Sequence, residues 1–216
     1  MSPASAGARH PLVAVYADES CLGNGREGQN PGGAGVLIEY ARATGEPLVR
    51  QDLWVSEPAT TNNRMALRSA TEAFNALSAR GAHLSVVFTS DSKYLIEGMK
   101  SWVRSWVKRD WKKADGKPVE NRALWEAALG AIGAREVDWR WVCGHAGHPQ
   151  NEYANHLATR AAREQSTSHA LVESSFDTWL VSQRTRGAIA RAESAFPDAT
   201  TFRAARPTGF APVARV

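Results

Sequence analysis

Three short apolar segments, rich in β-branched residues, precede every helical pattern in this 216-residue chain. They span residues 12–17, 35–40 and 48–55, and the stretches between them contain Gly and Pro. Short runs of this kind, bounded by turn-forming residues, predict β-strands. Three consecutive strands of similar length favour an antiparallel meander at the start of the fold.

Helical periodicity begins after the third strand. Potential capping side chains at residues 61–63 precede apolar residues at helical spacing between Met65 and Leu77. The following segments alternate between strand and helix: a buried strand at 84–88, a shorter helix near 92–100, a helix at 119–132, a strand at 137–142 and a helix at 149–164. The predicted fold class is therefore mixed α/β, with a five-stranded mixed sheet that starts with three antiparallel strands and is flanked by helices.

The length and the 43% hydrophobic content allow one well-buried core, but the chain is too short for two large domains. We predict a flexible N-terminus at residues 1–10, one folded domain at 11–165 and a C-terminal extension at 166–216. The extension is rich in Ser, Thr, Ala and Arg, so we expect it to be largely mobile, with one further helix within residues 176–195.

The bulk properties narrow the class of protein. A net charge of +4 and a sequence pI near 9.3 favour polyanionic partners. Cys21 and Cys143 are the only cysteines, too few for a disulfide framework and too widely spaced for a clustered zinc site. No segment reads as a signal peptide or a membrane span. We expect a soluble, cytoplasmic and monomeric protein.

Two aspartates follow predicted strands. Asp18 comes after the first strand and Asp91 after the fourth, so a fold that pairs these strands centrally places both carboxylates at one end of the sheet. A pair of this kind can share a divalent cation, which prefers oxygen ligands. Either aspartate alone would be an ordinary strand-end or turn residue.

Five segments, taken in order, resemble type 1 ribonuclease H over residues 12–164: YADESCLGN (16–24), TTNNRMALRSA (60–70), TSDSKYL (89–95), WVRSWVKRDWKKADGKPVENRALW (102–125) and WVCGHAGHPQNEYANHLA (141–158). The resemblance implies the ribonuclease H-like fold. It also implies an endonuclease that hydrolyses the RNA strand of RNA/DNA hybrids by two-metal-ion chemistry, with Mg²⁺ or Mn²⁺ as cofactor.

The resemblance implies four acidic metal-binding positions, of which this chain keeps two. Asp18 and Asp91 match the family, whereas Ala66 and Asn155 replace a Glu and an Asp. Alanine offers no ligand atom. Asn155 keeps a carbonyl oxygen without a charge, so it remains a weak metal ligand and a candidate catalytic residue.

Glu19 and His145 are the other candidate catalytic residues. Glu19 stands where the family has Gly, and it substitutes for a missing ligand if the backbone bends at the strand end. Strict strand alternation instead points Glu19 away from Asp18, as a solvent-facing turn residue. His145 matches the family's mobile-loop histidine, which implies a role in proton transfer and product departure.

A basic, tryptophan-rich stretch at residues 100–117 is the strongest local signal for binding nucleic acid. By resemblance it grips the DNA strand of the hybrid through phosphate and sugar contacts. The alternative is an amphipathic helix with Trp102 and Trp106 on its core face. The predicted nucleic-acid-binding residues are Cys21, Asn24, Asn62, Asn63, Trp102, Trp106, Lys108, Arg109, Trp111, Lys112 and Asn121.

The missing carboxylates leave two functions open. The chain is either a working nuclease with an atypical site, or a hybrid-binding protein whose catalysis is impaired or absent. Asp18, Asp91, His145 and the substrate-binding residues favour the nuclease.

Overall fold

The computed structural model describes residues 7–8, 10–23, 30–43, 45–78, 83–190 and 192–205. The strands are β1 (Leu12–Cys21), β2 (Gly32–Ala41), β3 (Leu48–Glu57), β4 (Ser85–Ser90), β5 (Glu136–Trp141) and β6 (Val172–Glu173). The helices are α1 (Asn62–Ser78), α2 (Lys93–Glu97), α3 (Val103–Lys108), α4 (Arg122–Ile132), α5 (Pro149–Glu164) and α6 (Phe176–Thr185), with a π-helical turn at Gly98–Trp102 and a 3₁₀ turn at Ala199–Thr201. No helix within these residues is long and apolar enough to cross a membrane.

The strands form one mixed sheet in the order β5-β4-β1-β2-β3-β6. β1, β2 and β3 form the predicted antiparallel meander, and β4 and β5 add to it in parallel. The mixed α/β fold class is confirmed. The sheet has six strands rather than the predicted five, because the two-residue strand β6 pairs with β3 at Gln51↔Glu173 and Asp52↔Val172.

The two faces of the sheet carry separate cores, as expected from the alternation of side chains along β1. Val15 and Ala17 lie on the face covered by α1 and α4. Ala14 and Tyr16 lie on the other face, covered by α5 and α6. Phe74, Phe88 and Trp139 pack together in the first core, with ring centroids 4.9–6.1 Å apart.

Two glycines of β2 bring α5 close to the sheet. A methyl group added to Gly33 would overlap the α5 backbone at Ala158, and one added to Gly35 would overlap it at Ala154. Only hydrogen fits at these positions, so the helix lies closer to β2 than larger side chains would allow. This close packing fixes the position of α5 relative to the neighbouring strand β1.

The C-terminal extension packs against the domain over its described residues, 166–190 and 192–205. Phe176 and Phe202 are fully buried, and Leu180 is 3% exposed. The helix expected within residues 176–195 is present, but it ends at Thr185. The packing differs from the expectation of a largely mobile extension, because a few widely spaced apolar anchors suffice where the polar composition suggested none.

The close approach of α5 predicts a large difference between two glycine substitutions. Gly35→Ala should destabilise the protein by about 1–3 kcal/mol, because the added methyl group forces α5 away from β2. Gly130→Ala on the exposed side of α4 meets no neighbouring atom and should stabilise by about 0.5–1 kcal/mol. Urea unfolding of both variants checks this. Equal effects would contradict the packing described here.

Candidate metal centre and nucleic-acid interface

Three carboxylates meet where β1 and β4 leave their shared ladder. The parallel register ends at Ala17↔Ser90, and Asp18 and Asp91 are the next residues along their strands. Asp18, Glu19 and Asp91 each offer an oxygen within 4.8 Å of the other two. The predicted proximity of Asp18 and Asp91 is therefore present, and Glu19 joins them.

Glu19 lies inside β1, paired with Ala34, and is not a turn residue. Alternation along the strand places it on the face of Ala17, which is the face that α1 and Ala66 cover. The missing family carboxylate belongs to that face, because its position in this chain is Ala66. Strand alternation thus brings Glu19 to the side where a carboxylate is lacking, rather than away from the site.

The electrostatics of the cluster favour a bound cation. Burial, and then the neighbouring Asp91, raises the pKa of Asp18 to about 8. Burial, followed by the charges of Asp18 and Asp91, raises the pKa of Glu19 well above its ordinary value. Burial also raises the pKa of Asp91. Buried carboxylates this close repel one another when ionised, and a divalent cation between them would offset both the repulsion and the lost hydration.

The atoms of the cluster fit a hard cation. Glu19 Oε2 is buried and has no hydrogen-bond partner among the described residues. Carboxylate oxygens are the ligands that Mg²⁺ and Mn²⁺ prefer. Asp18 Oδ1 accepts a hydrogen bond of 2.6 Å from the Glu19 backbone N–H, which restrains the Asp18 carboxylate.

Two residues that the sequence did not single out lie against the aspartates. Asn151 Nδ2, in the first turn of α5, donates a hydrogen bond of 3.0 Å to Asp18 Oδ2. Gly144 lies against Asp91 so closely that an added methyl group would overlap the carboxylate. A glycine inside a GH motif gives no signal of this role in the sequence alone.

Ala66 and Asn155 occupy different environments. Ala66 is fully buried in the core under α1 and contributes no ligand. Asn155 is partly exposed on α5, one helical turn beyond Asn151 and therefore on the same face of the helix. The geometry is compatible with the predicted weak ligand role of Asn155, which stays a prediction.

His145 lies in the loop before α5, exposed and in a left-handed backbone conformation with φ 52°. Its Nδ1 lies 3.9 Å from Glu152 Oε2, and the other carboxylate oxygen of Glu152 accepts a hydrogen bond from the Gly147 N–H. The charge of Glu152 also raises the pKa of Asp18 and Asp91. Glu152 is a fourth acidic residue beside the site, and the sequence analysis missed it.

The basic, tryptophan-rich stretch follows α2 and includes the π-helical turn and α3. Lys108, Arg109 and Lys112 are exposed, as a phosphate-binding role requires. Trp102 is 38% exposed, and Trp106 is half-buried against Trp125 with ring centroids 5.4 Å apart. One side of this stretch packs on the core, as the amphipathic alternative expects. The cations face outward, which is compatible with binding nucleic acid, and that role stays a prediction.

Trp111 requires a correction. The sequence analysis placed it among the nucleic-acid-binding residues, but it is only 6% exposed and belongs to the core under α1. Asp110 and Trp111 both adopt left-handed backbone conformations, with φ 50° and 57°. This turn carries the chain away from α3 and directs the Trp111 ring inward, where the Arg122 guanidinium lies 5.7 Å from the ring centroid.

The remaining predicted contacts lie at two places. Cys21 Sγ donates to the Thr60 carbonyl at 3.4 Å, next to Asn62 and Asn63 at the start of α1. Asn121 occupies the N-cap position of α4, and its side chain donates to the Tyr94 hydroxyl at 3.3 Å. Asn24 lies outside the described residues. The nucleic-acid roles of these residues stay predictions.

Comparison with known proteins identifies the family. The family model for RNase H matches residues 10–163. A ribonuclease H of Escherichia coli O9:H4 (strain HS) is 41% identical over 150 residues, which is 69% of this chain and 88% of the bacterial protein. A ribonuclease H of Alcanivorax borkumensis is 40% identical over 152 residues, 70% of this chain and 92% of that protein. The chain belongs to the ribonuclease H family.

Solved structures extend the likeness to the C-terminal extension. A crystal structure of LC9-RNase H1, described as a type 1 RNase H with the type 2 active-site motif, is 55% identical with a TM-score of 0.87, covering 96% of this chain and 98% of that one. The solution structure of the foamy-virus (PFV) RNase H domain is 16% identical with a TM-score of 0.59, covers 72% of this chain and 96% of that one, and shows the fold alone.

The raised pKa of Asp18 predicts a pH-dependent stability without divalent cations. A carboxyl group whose pKa rises on folding from 3.8 to about 8 stabilises the fold while protonated, and this contribution is lost as pH rises through about 8. In a chelating buffer the free energy of unfolding should therefore fall between about pH 5 and pH 8, by at most about 1.4 kcal/mol per pH unit for this group.

Urea unfolding of the parent protein and of Asp18→Asn across this pH range checks the prediction. The amide carries no titratable proton, so the variant should have a shallower slope and should exceed the parent in stability at about pH 8. Identical slopes would show that Asp18 is not buried among like charges.

Proposed function

We propose that the protein is a metal-dependent endonuclease that hydrolyses the RNA strand of RNA/DNA hybrids, with its metal site built on Asp18, Glu19 and Asp91. The observation that carries the proposal is the meeting of these three buried or half-buried carboxylates within 4.8 Å. Family membership supplies the reaction class, and the cluster supplies a site for it.

Glu19 reduces the apparent deficit of charge. The four family positions retain two formal negative charges in this chain, at Asp18 and Asp91, and Glu19 brings the number to three. Affinity for a hard cation depends strongly on the number of charged oxygen ligands. We infer that Glu19 takes the place of the helix carboxylate missing at Ala66, and that Asn155 adds a neutral carbonyl oxygen.

Each residue of the proposed site has a distinct role. When bound, the divalent ions activate the attacking water and stabilise charge on the scissile phosphate. Asn151 orients Asp18 through its hydrogen bond, and Gly144 leaves the space that the Asp91 carboxylate occupies. His145, exposed beside Glu152, is placed to exchange a proton at its imidazole with the leaving oxygen or with solvent.

A single substitution tests the role of Glu19. Glu19→Gln keeps the shape of the side chain but removes its charge, so cleavage of a labelled RNA/DNA hybrid in Mg²⁺ should fall by about 100-fold or more. Asp91→Asn should have a similar effect. Glu72→Gln is the matched control, because Glu72 pairs with Arg68 on α1 and its loss should leave cleavage unchanged.

Binding of the hybrid should survive the loss of Glu19, because the phosphate-binding cations lie elsewhere. Full cleavage by Glu19→Gln would return this residue to a structural role. A parent protein that binds the hybrid but cleaves it in neither Mg²⁺ nor Mn²⁺ would favour the second candidate function, non-catalytic hybrid binding, to which the buried Ala66 and the uncharged Asn155 point.

The basic stretch supplies the substrate-binding surface in this proposal. Its exposed cations can neutralise phosphates and release condensed counterions, which makes binding depend on salt. Trp102, exposed beside them, offers an apolar ring to a sugar. This surface follows the metal site along the chain, because α2 begins two residues after Asp91 and the basic stretch comes directly after α2.

Replacing Lys108, Arg109 and Lys112 together with Ala should weaken binding of the hybrid and lower the slope of log Kd against log salt by about two to three. Fluorescence anisotropy across a salt series measures both quantities. A charge-matched control replaces Arg163, Arg184 and Arg186, exposed cations of α5 and of the α6 segment. An equal loss of slope in the control would show that the basic stretch is not a specific surface.

A further inference from the structure

One residue of the C-terminal extension makes three hydrogen bonds to the start of α5. The Ser194 N–H donates to Gln150 Oε1 at 3.0 Å, and Gln150 Nε2 donates to the Ser194 carbonyl at 2.8 Å. The Ser194 hydroxyl lies 2.8 Å from His148 Nε2. Gln150 is fully buried, so the loss of its two bonds to Ser194 would leave its buried amide group unpaired by Ser194.

His148 links Ser194 to the first turn of α5. It is the N-cap residue of the helix, and its Nδ1 accepts a hydrogen bond of 3.3 Å from the Asn151 N–H. Since Nδ1 accepts, the neutral ring carries its proton on Nε2, which therefore donates to Ser194 Oγ. The Asn151 N–H thus sets the tautomer of the capping imidazole, and Ser194 Oγ, as the acceptor of the Nε2 bond, helps to hold the orientation of the ring.

The same turn reaches the metal centre. Asn151, 2% exposed, donates from its side chain to Asp18 Oδ2 at 3.0 Å, while its backbone N–H is held by His148. A continuous series of hydrogen bonds therefore runs from Ser194 through His148 and Asn151 to Asp18. Partners of this kind orient ligands and influence how tightly a metal binds.

The extension is itself anchored next to Ser194. Arg50 of β3 pairs with Glu193 at 3.1 Å, with Asp177 of α6 at 2.6 Å and with the buried Glu39 of β2 at 2.8 Å. Its guanidinium also lies 4.9 Å from the Phe176 ring centroid. Ser194 thus projects from a segment tied to the sheet, and it is not the end of an unattached chain.

We propose that Ser194 is a positioning residue for the metal centre, and that the C-terminal extension is part of the support of the active site. Ser194 holds the first turn of α5 so that Asn151 keeps the Asp18 carboxylate oriented toward the metal. This inference rests on the metal site proposed above. It gives a positioning role at the active site to a segment that lies beyond residues 10–163, the part matched by the ribonuclease H family model.

Ser194→Ala tests the inference, because it removes the bond to His148 and leaves both bonds to Gln150. Calorimetric titration with Mn²⁺ should give a Kd raised by about tenfold, and kcat on a labelled hybrid should fall by a similar factor with KM unchanged. Ser194→Thr retains the hydroxyl and should restore both values. The double variant Gln150→Met with Ser194→Ala cuts all three bonds and should show a larger loss.

Thr185→Ala is the matched control, because it removes a hydroxyl group from the same extension whose hydrogen bond to the Val181 carbonyl stays within α6. It should leave the Kd for Mn²⁺ and kcat unchanged, whatever its effect on Tm. Nitrogen-15 NMR of the metal-free protein supplies an independent measurement, because the chemical shift of His148 Nε2 should change when Ser194→Ala removes its hydrogen-bond acceptor.

The outcomes separate the two proposals. A folded Ser194→Ala protein with the parent's Kd, kcat and His148 spectrum would overturn the role of Ser194. If the parent binds Mn²⁺ but cleaves no hybrid, the proposed nuclease function fails, while a weakened Mn²⁺ affinity in Ser194→Ala would still support positioning. A parent protein that binds no Mn²⁺ would overturn both.

Discussion

Like charges buried together destabilise a fold unless something offsets them, and this protein gathers Asp18, Glu19 and Asp91 at one end of its central strands. The pKa of each carboxyl group is raised, with burial as the leading cause. The surrounding structure holds the groups in place instead of separating them. Such an arrangement is costly for stability and is expected where a site binds a cation.

The two faces of β1 contribute different side chains to this site. Asp18 belongs to the α5 face, where Gly33 and Gly35 let the helix approach closely and Asn151 reaches the carboxylate. Glu19 belongs to the α1 face, where Ala66 leaves the family position without a ligand. The metal centre therefore depends on the strand end, because only there do side chains from both faces reach the same point.

Much of this arrangement could be predicted from the sequence. The strand runs, the helical spacing of α1 and the placement of Asp18 and Asp91 after neighbouring strands follow from periodicity and strand order, which are local patterns. The sequence left the role of Glu19 open, because strand alternation predicts which face of the sheet a side chain lies on but not which residues cover that face. Its place became clear only when α1 was seen to cover that face.

Other features depend on contacts that no local pattern encodes. Trp111 lies in a basic stretch, but its ring points inward because Asp110 and Trp111 both have left-handed backbone conformations. The polar composition after residue 165 concealed the anchors Phe176 and Phe202 and the short strand β6. Asn151, Gly144 and Ser194 act through partners that are distant in the sequence. Their roles emerge from the tertiary structure alone.

The central claim is that Glu19 is a metal ligand in place of a carboxylate at Ala66. The most direct measurement is a crystal structure of the protein soaked in Mn²⁺, with the ions located by anomalous scattering. The account predicts an anomalous peak among the carboxylates, with a Glu19 oxygen about 2.0–2.3 Å from an ion bound also by Asp18 or Asp91. An ion bound by the aspartates while Glu19 points elsewhere would contradict it.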